Sequence, residues 1–171
     1  MSESGRYASL ISLESGMDYK ITSLELTSFK HLFGLDDQTL AEKGVQRMTV
    51  TDKPGYPCRV TLADAEIGES VLLLNYEHLS VDSPYRSAHA LFVRENATKS
   101  ASFENEIPKY LQDRQVSVRS FDKSGMMVDA DTCAGKELES LIERLLADES
   151  ADYLHVHNAA RGCYLARVNR L

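Results

Sequence analysis

Apolar positions recur at helical spacing most clearly in residues 136–148, where Leu138, Leu141, Ile142, Leu145 and Leu146 fall at i, i+3, i+4, i+7 and i+8. That spacing draws one apolar stripe and predicts a helix packed on the core through it. Two shorter helices are expected earlier. Phe29, Leu32 and Phe33 share helical spacing within residues 27–33, and Gly34 is placed to end that segment. Asp36 then reads as the N-cap of a helix over residues 37–43, which stops at Gly44 with Lys43 in its last turn. A third short helix is expected over 107–114, because Pro108 suits a first helical turn.

Elsewhere the pattern has the period of strands. Tyr19, Lys20 and Ile21 open the first, and segments 45–50, 58–62, 70–78, 89–94, 116–121, 126–131, 153–157 and 163–168 follow. The first half of 70–78 is continuously apolar, as expected of a central strand covered on both faces. Asp52, Lys53, Pro54 and Gly55 signal a turn, residues 63–68 a loop, and Asp122, Lys123, Ser124 and Gly125 a hairpin. Strands outnumber helices, and most connections are too short for crossover helices. The pattern therefore predicts an α+β fold, a mostly antiparallel sheet with short helices packed on one face. Residues 1–17, rich in Ser, Glu and Gly, read as a loose extension, and 18–171 as a single domain.

Composition then narrows the partners. The chain of 171 residues carries a net charge of −7, and an acidic field repels phosphate backbones and anionic lipid. Neither nucleic acid nor a membrane surface is an expected partner; a homo-oligomer remains compatible. The longest apolar runs, 71–74 and 90–93, are far too short to span a bilayer, and the N-terminal residues lack the apolar core of a secretory signal. Three widely spaced cysteines, Cys58, Cys133 and Cys163, do not make a disulfide framework. A reducing compartment follows, and the expected location is the cytoplasm.

Two stretches carry a family resemblance. One runs from Pro54, Gly55, Tyr56, Pro57, Cys58, Arg59 and Val60 through Gly68 and Glu69 to Leu72, Leu73, Leu74, Asn75, Tyr76, Glu77 and His78. Ser83, Pro84, Tyr85 and Arg86, then Phe92, Val93 and Arg94, extend it. The other comprises His155, Val156, His157, Asn158 and Ala159, then Gly162, Cys163 and Tyr164, then Arg167 and Val168. Together they resemble a bacterial family catalogued as a domain of unknown function, number twelve hundred and three, from about Tyr19 to the C-terminus. The resemblance implies a stand-alone bacterial domain of this length and supplies no activity, cofactor or catalytic residue.

Candidate chemistry rests on three groups of residues. His155 and His157 alternate in a predicted strand, so both imidazoles point to one face and could supply two ligands to a metal such as zinc. A third ligand would come from His78, from Cys163, or from Asp129 or Asp131. No glutamate follows the pair closely, which argues against a metal-binding jelly roll, and a half-exposed strand bearing histidines on its solvent face is the plainer reading. Cys163, after Gly162, could become a thiolate nucleophile beside those imidazoles, or be a small inert hydrophobe. Cys58 has the same choice with fewer neighbours.

Arginines form the third group. Arg59, Arg94, Arg119 and Arg167 lie in or at the ends of predicted strands, and Arg86 follows Pro84 and Tyr85. A guanidinium in a strand interior needs a partner, either an anionic ligand or cross-strand carboxylates. Cys163, Leu165 and Arg167 share one face of the last predicted strand.

Phosphate-binding, dinucleotide-binding and nucleophile-elbow motifs are absent from the sequence. Two functions follow from these residues. One is a small-molecule enzyme or binding protein with His155, His157 and Cys163 as catalytic groups and Arg59, Tyr85, Arg86, Arg94 and Arg167 around a small anionic ligand. The other is a non-catalytic interaction domain in which the same residues are structural. Convergence of these side chains on one site separates the two.

Overall fold

The computed structural model describes residues 16–171, so the extension expected over 1–17 falls almost wholly outside the described residues. Eleven strands are present: β1 (Tyr19–Thr22), β2 (Gln46–Thr49), β3 (Pro57–Cys58), β4 (Ala63–Asp64), β5 (Ser70–Leu79), β6 (Ser87–Arg94), β7 (Ser102–Glu104), β8 (Gln115–Phe121), β9 (Met127–Ala134), β10 (Tyr153–Asn158) and β11 (Tyr164–Arg170). Three α-helices accompany them, α1 (Asp37–Glu42), α2 (Lys109–Gln112) and α3 (Leu138–Leu146). The fold is α+β. None of these helices is long and apolar enough to cross a membrane.

The strands divide between two sheets where the sequence pattern suggests one. The first has six strands in the order β7-β1-β11-β10-β8-β9, all antiparallel. The second has five, in the order β2-β5-β6-β3-β4, antiparallel except where Cys58 of β3 pairs with Phe92 of β6.

Alternation within the six-stranded sheet assigns its two faces. Val116 and Val118 of β8, Leu154 and Val156 of β10, and Val168 of β11 join one buried cluster with Leu138, Leu141, Ile142, Leu145 and Leu146 of α3. The apolar stripe is thus fully used. Burying five such side chains is worth about 2 kcal/mol each, which is what fixes a helix of nine residues that would not form alone. The opposite face carries the alternate residues Tyr153, His155 and His157, with Arg119 and Phe121 beside them on β8. That face meets the five-stranded sheet: Leu79 packs with Phe121 and Tyr153, and Tyr164 joins Leu72, Leu74 and Leu91.

Local chemistry explains the element ends. Asp36 caps α1 as expected, its carboxylate accepting from the Thr39 backbone N–H at 2.9 Å. In the β8–β9 turn the Asp122 carboxylate accepts from the N–H groups of Ser124 and Met126, and Gly125 takes the left-handed φ of 79°.

Three expectations need correction. Residues 27–33 form two 3-10 turns, Leu26–Ser28 and Lys30–Leu32, because Phe29 leaves helical geometry at φ −120° between them. The strand expected over 58–62 ends at Cys58: the Leu62 N–H bonds back to the Cys58 carbonyl, and Leu62 has a left-handed φ of 47°. That tight reversal puts Ala63 and Asp64, expected in a loop, against β3. The pattern also misses β7, a three-residue strand in which Phe103 packs on the core.

Candidate functional site

β10 is central in its sheet, between β8 and β11, and covered on both faces, so His155 and His157 are each only 1 % exposed. A half-exposed strand with solvent-facing histidines is therefore not what these residues form. Their face is met by His78 and His89, which the antiparallel pair β5–β6 brings together. A register shift between Glu77 and Leu79 lies at His78. Four imidazoles thus gather between the sheets. Ring centroids lie 5.1 Å apart for His78 and His89, 5.2 Å for His78 and His157, 5.6 Å for His78 and His155, and 5.8 Å for His89 and His157.

Aromatic rings frame this cluster. Tyr164 stacks on His78 with centroids 4.7 Å apart, and it meets His155 edge-on at 5.0 Å. Phe121 and Tyr153 contact His155 from the other end. Polar satisfaction is uneven. His78 Nε2 and His89 Nδ1 approach to 2.9 Å, and His157 Nδ1 lies 2.9 Å from the Gly162 carbonyl oxygen. Among the described residues, His78 Nδ1, His155 Nδ1 and His157 Nε2 are buried without a partner.

The imidazoles are held neutral. Burial lowers His78 to about 4, His155 to about 2 and His157 to about 3, and it also lowers His89. Mutual repulsion with neighbouring histidines and with Arg119 adds to this, while the bond to Gly162 opposes it for His157. Among the described residues, the group of ligand-type side chains at this point consists of His78, His89 and His157, with no carboxylate or thiol.

Two arginines flank the cluster. His155 is paired across the sheet with Arg119 on β8 and with Arg167 on β11. Arg167 lays its guanidinium over the Tyr153 ring, 3.8 Å from the centroid, and donates from Nε to Asn169. Arg119 is half-buried. Burial disfavours its charged form.

The other expected site residues are placed differently. Arg59 is buried, and its guanidinium donates to the carbonyls of Tyr164, at 2.8 Å, and Pro57. Arg94 pairs with Glu69 and Arg86 with Glu77, so each of these guanidinium groups is held by a carboxylate of the chain. Tyr85 is exposed and touches Phe121 edge-on, so it reaches the rim of the aromatic frame only.

Cys163 precedes β11 and lines a groove of about 420 Å³ with Arg59, Leu73, Ala90, Phe92, Arg114, Asn158 and Arg161. Ala90 and Phe92 alternate with His89 along β6, so this groove lies on the far face of that strand. The structure accordingly joins His155, His157 and Arg167 on one face and puts the Cys163 thiol in a separate groove. A register shift after Val156 pairs His157 with Tyr164 and detaches Cys163 from the alternation assumed for the last strand. Of the proposed third ligands, His78 is present, whereas Asp129 and Asp131 hold Arg144.

His89 and Arg119 complete the site and were not singled out together with the histidine pair. The available signal was register: in the hairpin of 70–78 and 89–94, His89 pairs with Tyr76, and His78 lies two residues further along the opposite strand, at the register shift.

The fold and site define a two-sheet α+β protein with a neutral, carboxylate-free histidine cluster at the sheet interface. Residues 55–170 match the model of the family described as Protein of unknown function (DUF1203), and the chain belongs to that family. The match includes all four clustered histidines and both flanking arginines. No curated protein and no solved structure matches the chain.

Proposed function

We propose that this is a cytoplasmic, single-domain bacterial protein that binds, and acts on, a small anionic molecule at the His155 face. One observation carries the reading: His155 lies between Arg119 and Arg167, and neither arginine meets a carboxylate among the described residues. The chain has 26 acidic residues against 19 basic ones, so acids are not scarce. Arg47, Arg86, Arg94, Arg114 and Arg144 all take one. Two guanidinium groups left without counter-charge beside a buried neutral imidazole favour an anion, which would offset their desolvation and accept directional hydrogen bonds. His155, with Nδ1 unpartnered, is then a hydrogen-bonding or proton-accepting group toward the bound molecule. The Cys163 groove is a poorer anion site, because Arg59 is spent on carbonyls and Arg114 on Asp64, leaving Arg161. Three unbonded cysteines support the reducing location.

The test is calorimetric titration of the chelator-treated protein with inorganic phosphate and, in parallel, malonate. One of the two should bind, and Arg119→Gln and Arg167→Gln should each weaken it about tenfold or more, the equivalent of one lost charged hydrogen bond. Arg144→Gln, remote from the cluster, should leave binding unchanged. Failure of the wild-type chain to bind either anion, or unchanged binding by both cluster variants, overturns the reading.

A further inference from the structure

We infer that His78, His89 and His157 form a three-histidine site for a divalent transition metal, zinc foremost, with a fourth coordination position left to water or a ligand. One nitrogen from each imidazole lies within 4.8 Å of the other two, and the three residues come from three strands in two sheets. Tetrahedral zinc holds nitrogens at 2.0–2.1 Å, so ligand nitrogens stand about 3.3 Å apart. His78 Nε2 and His89 Nδ1, at 2.9 Å, need only a slight opening. The His157 nitrogen, within 4.8 Å of the other two, must come closer to reach the same spacing.

The tautomer of His157 is the most telling detail. A carbonyl oxygen can only accept, so the Gly162 contact requires the proton on His157 Nδ1 and leaves the lone pair on Nε2. That nitrogen is buried with no partner. A backbone carbonyl holding the far N–H of an imidazole whose free nitrogen faces two other imidazoles is the outer-shell arrangement of metal-ligating histidines. Between His78 and His89 a single shared proton now bridges two ring nitrogens, and a cation would take its place. Without a cation, His157 Nε2 stays buried and unpaired among the described residues, and a buried acceptor left without a partner is destabilising. An all-imidazole donor set suits zinc, copper or nickel, and offers nothing to magnesium or calcium, which require oxygen.

The site stands apart from the anion reading, since phosphate or malonate binding is measured on metal-free protein. His155 is not in the ligand set, and its position beside the cluster would put a bound anion close to the open coordination position.

The experiment uses the full chain without a histidine tag, loaded with Zn²⁺, dialysed against buffer and assayed for metal per chain, with Co²⁺ loading as a spectroscopic parallel. The expected result is one zinc per chain and the intense visible bands of tetrahedral cobalt. His89→Gln and His157→Ala should lose at least nine-tenths of the bound metal, and His31→Ala, an exposed histidine outside the cluster, should keep it. Should His157→Ala fail to fold, the half-buried His89→Gln decides. Protein with all accessible thiols alkylated should still take one zinc. Sub-stoichiometric metal in the wild type, retention by His89→Gln, or loss on alkylation overturns the site.

Discussion

His157 gives its Nδ1 proton to the carbonyl of Gly162, 2.9 Å away, and that bond decides which imidazole nitrogen faces His78 and His89. Gly162 is held in turn: its N–H donates to the Asn158 carbonyl at 2.8 Å, and its φ of 74° is one that a side chain resists. The β10–β11 turn therefore sets the chemistry of a buried ring. Nitrogen-resolved NMR of the imidazoles should find His157 as the Nδ1–H tautomer. Gly162→Ala should cost about 1–2 kcal/mol through the left-handed φ alone. A wild-type Nε2–H tautomer would show that the turn does not set it.

Ile142 is fully buried at the centre of the α3 stripe, among Leu138, Leu145 and Leu154. An aspartate there has neither solvent nor a counter-charge. Ile142→Asp should lose about 3 kcal/mol or more in denaturant unfolding. Unfolding at the wild-type midpoint would show that α3 does not pack through this face.

How much of this was legible follows from where each signal resides. The α3 stripe and the Asp36 cap are readable because both are local: side chains at fixed spacing, and one carboxylate beside its N–H groups. His155 and His157 sharing a face is local in the same sense. What surrounds them is not. His89 and Arg119 reach the cluster only through the register of β5 on β6 and of β8 on β10, which no single segment encodes. A register shift at β11 separated Cys163 from the histidines, and a one-residue change of this kind reverses every inward assignment after it. The division into two sheets is equally non-local, since each strand's pattern is satisfied by any apolar partner.

Gly135 precedes α3 where the chain passes over the end of α2, its N–H bonded to the Arg114 carbonyl at 2.7 Å. A Cβ at this position would overlap the Leu111 carbonyl oxygen and the backbone of Gln112, neither of which can rotate away. Gly135→Ala should therefore destabilise by several kcal/mol, on the order of 3, although alanine ordinarily improves on glycine near a helix. Gly44→Ala, with open space around it, should cost less despite its left-handed φ of 70°. Equal melting temperatures for the two variants would contradict the close approach of α2 and the start of α3.

The three thiols should react in a set order. Cys163 and Cys133 are half-buried, and Cys58 is fully enclosed on β3, between β6 and β4. Burial raises the Cys133 thiol above its ordinary range, and Glu137 and Asp131 raise it further, which lowers its thiolate fraction. A disulfide reagent added to native protein should modify Cys163 first, Cys133 more slowly, and Cys58 only on unfolding. Native reaction of Cys58 at the Cys163 rate would mean that this part of the second sheet opens readily.

Acid stability reports on a different pair. Arg47 grips Glu95 with Nε at 2.8 Å and Nη2 at 2.9 Å, both side chains being largely shielded from solvent. Ser70 donates to the same carboxylate. The Arg47 hydrogen bonds draw Glu95 down from 4.5 to about 2, against the opposing effect of burial. A carboxyl group whose folded value lies below its unfolded value stabilises the fold above the unfolded value. That contribution is lost as pH falls through the folded one, here between about pH 4.5 and 2. Glu95→Gln should cost about 2 kcal/mol at pH 7, in line with charged hydrogen bonds, and the gap to wild type should close as the pH approaches 2. Chemical denaturation of both proteins across that range measures it. A gap that stays constant with pH would show that the carboxylate charge contributes nothing, and that the pair acts through packing alone.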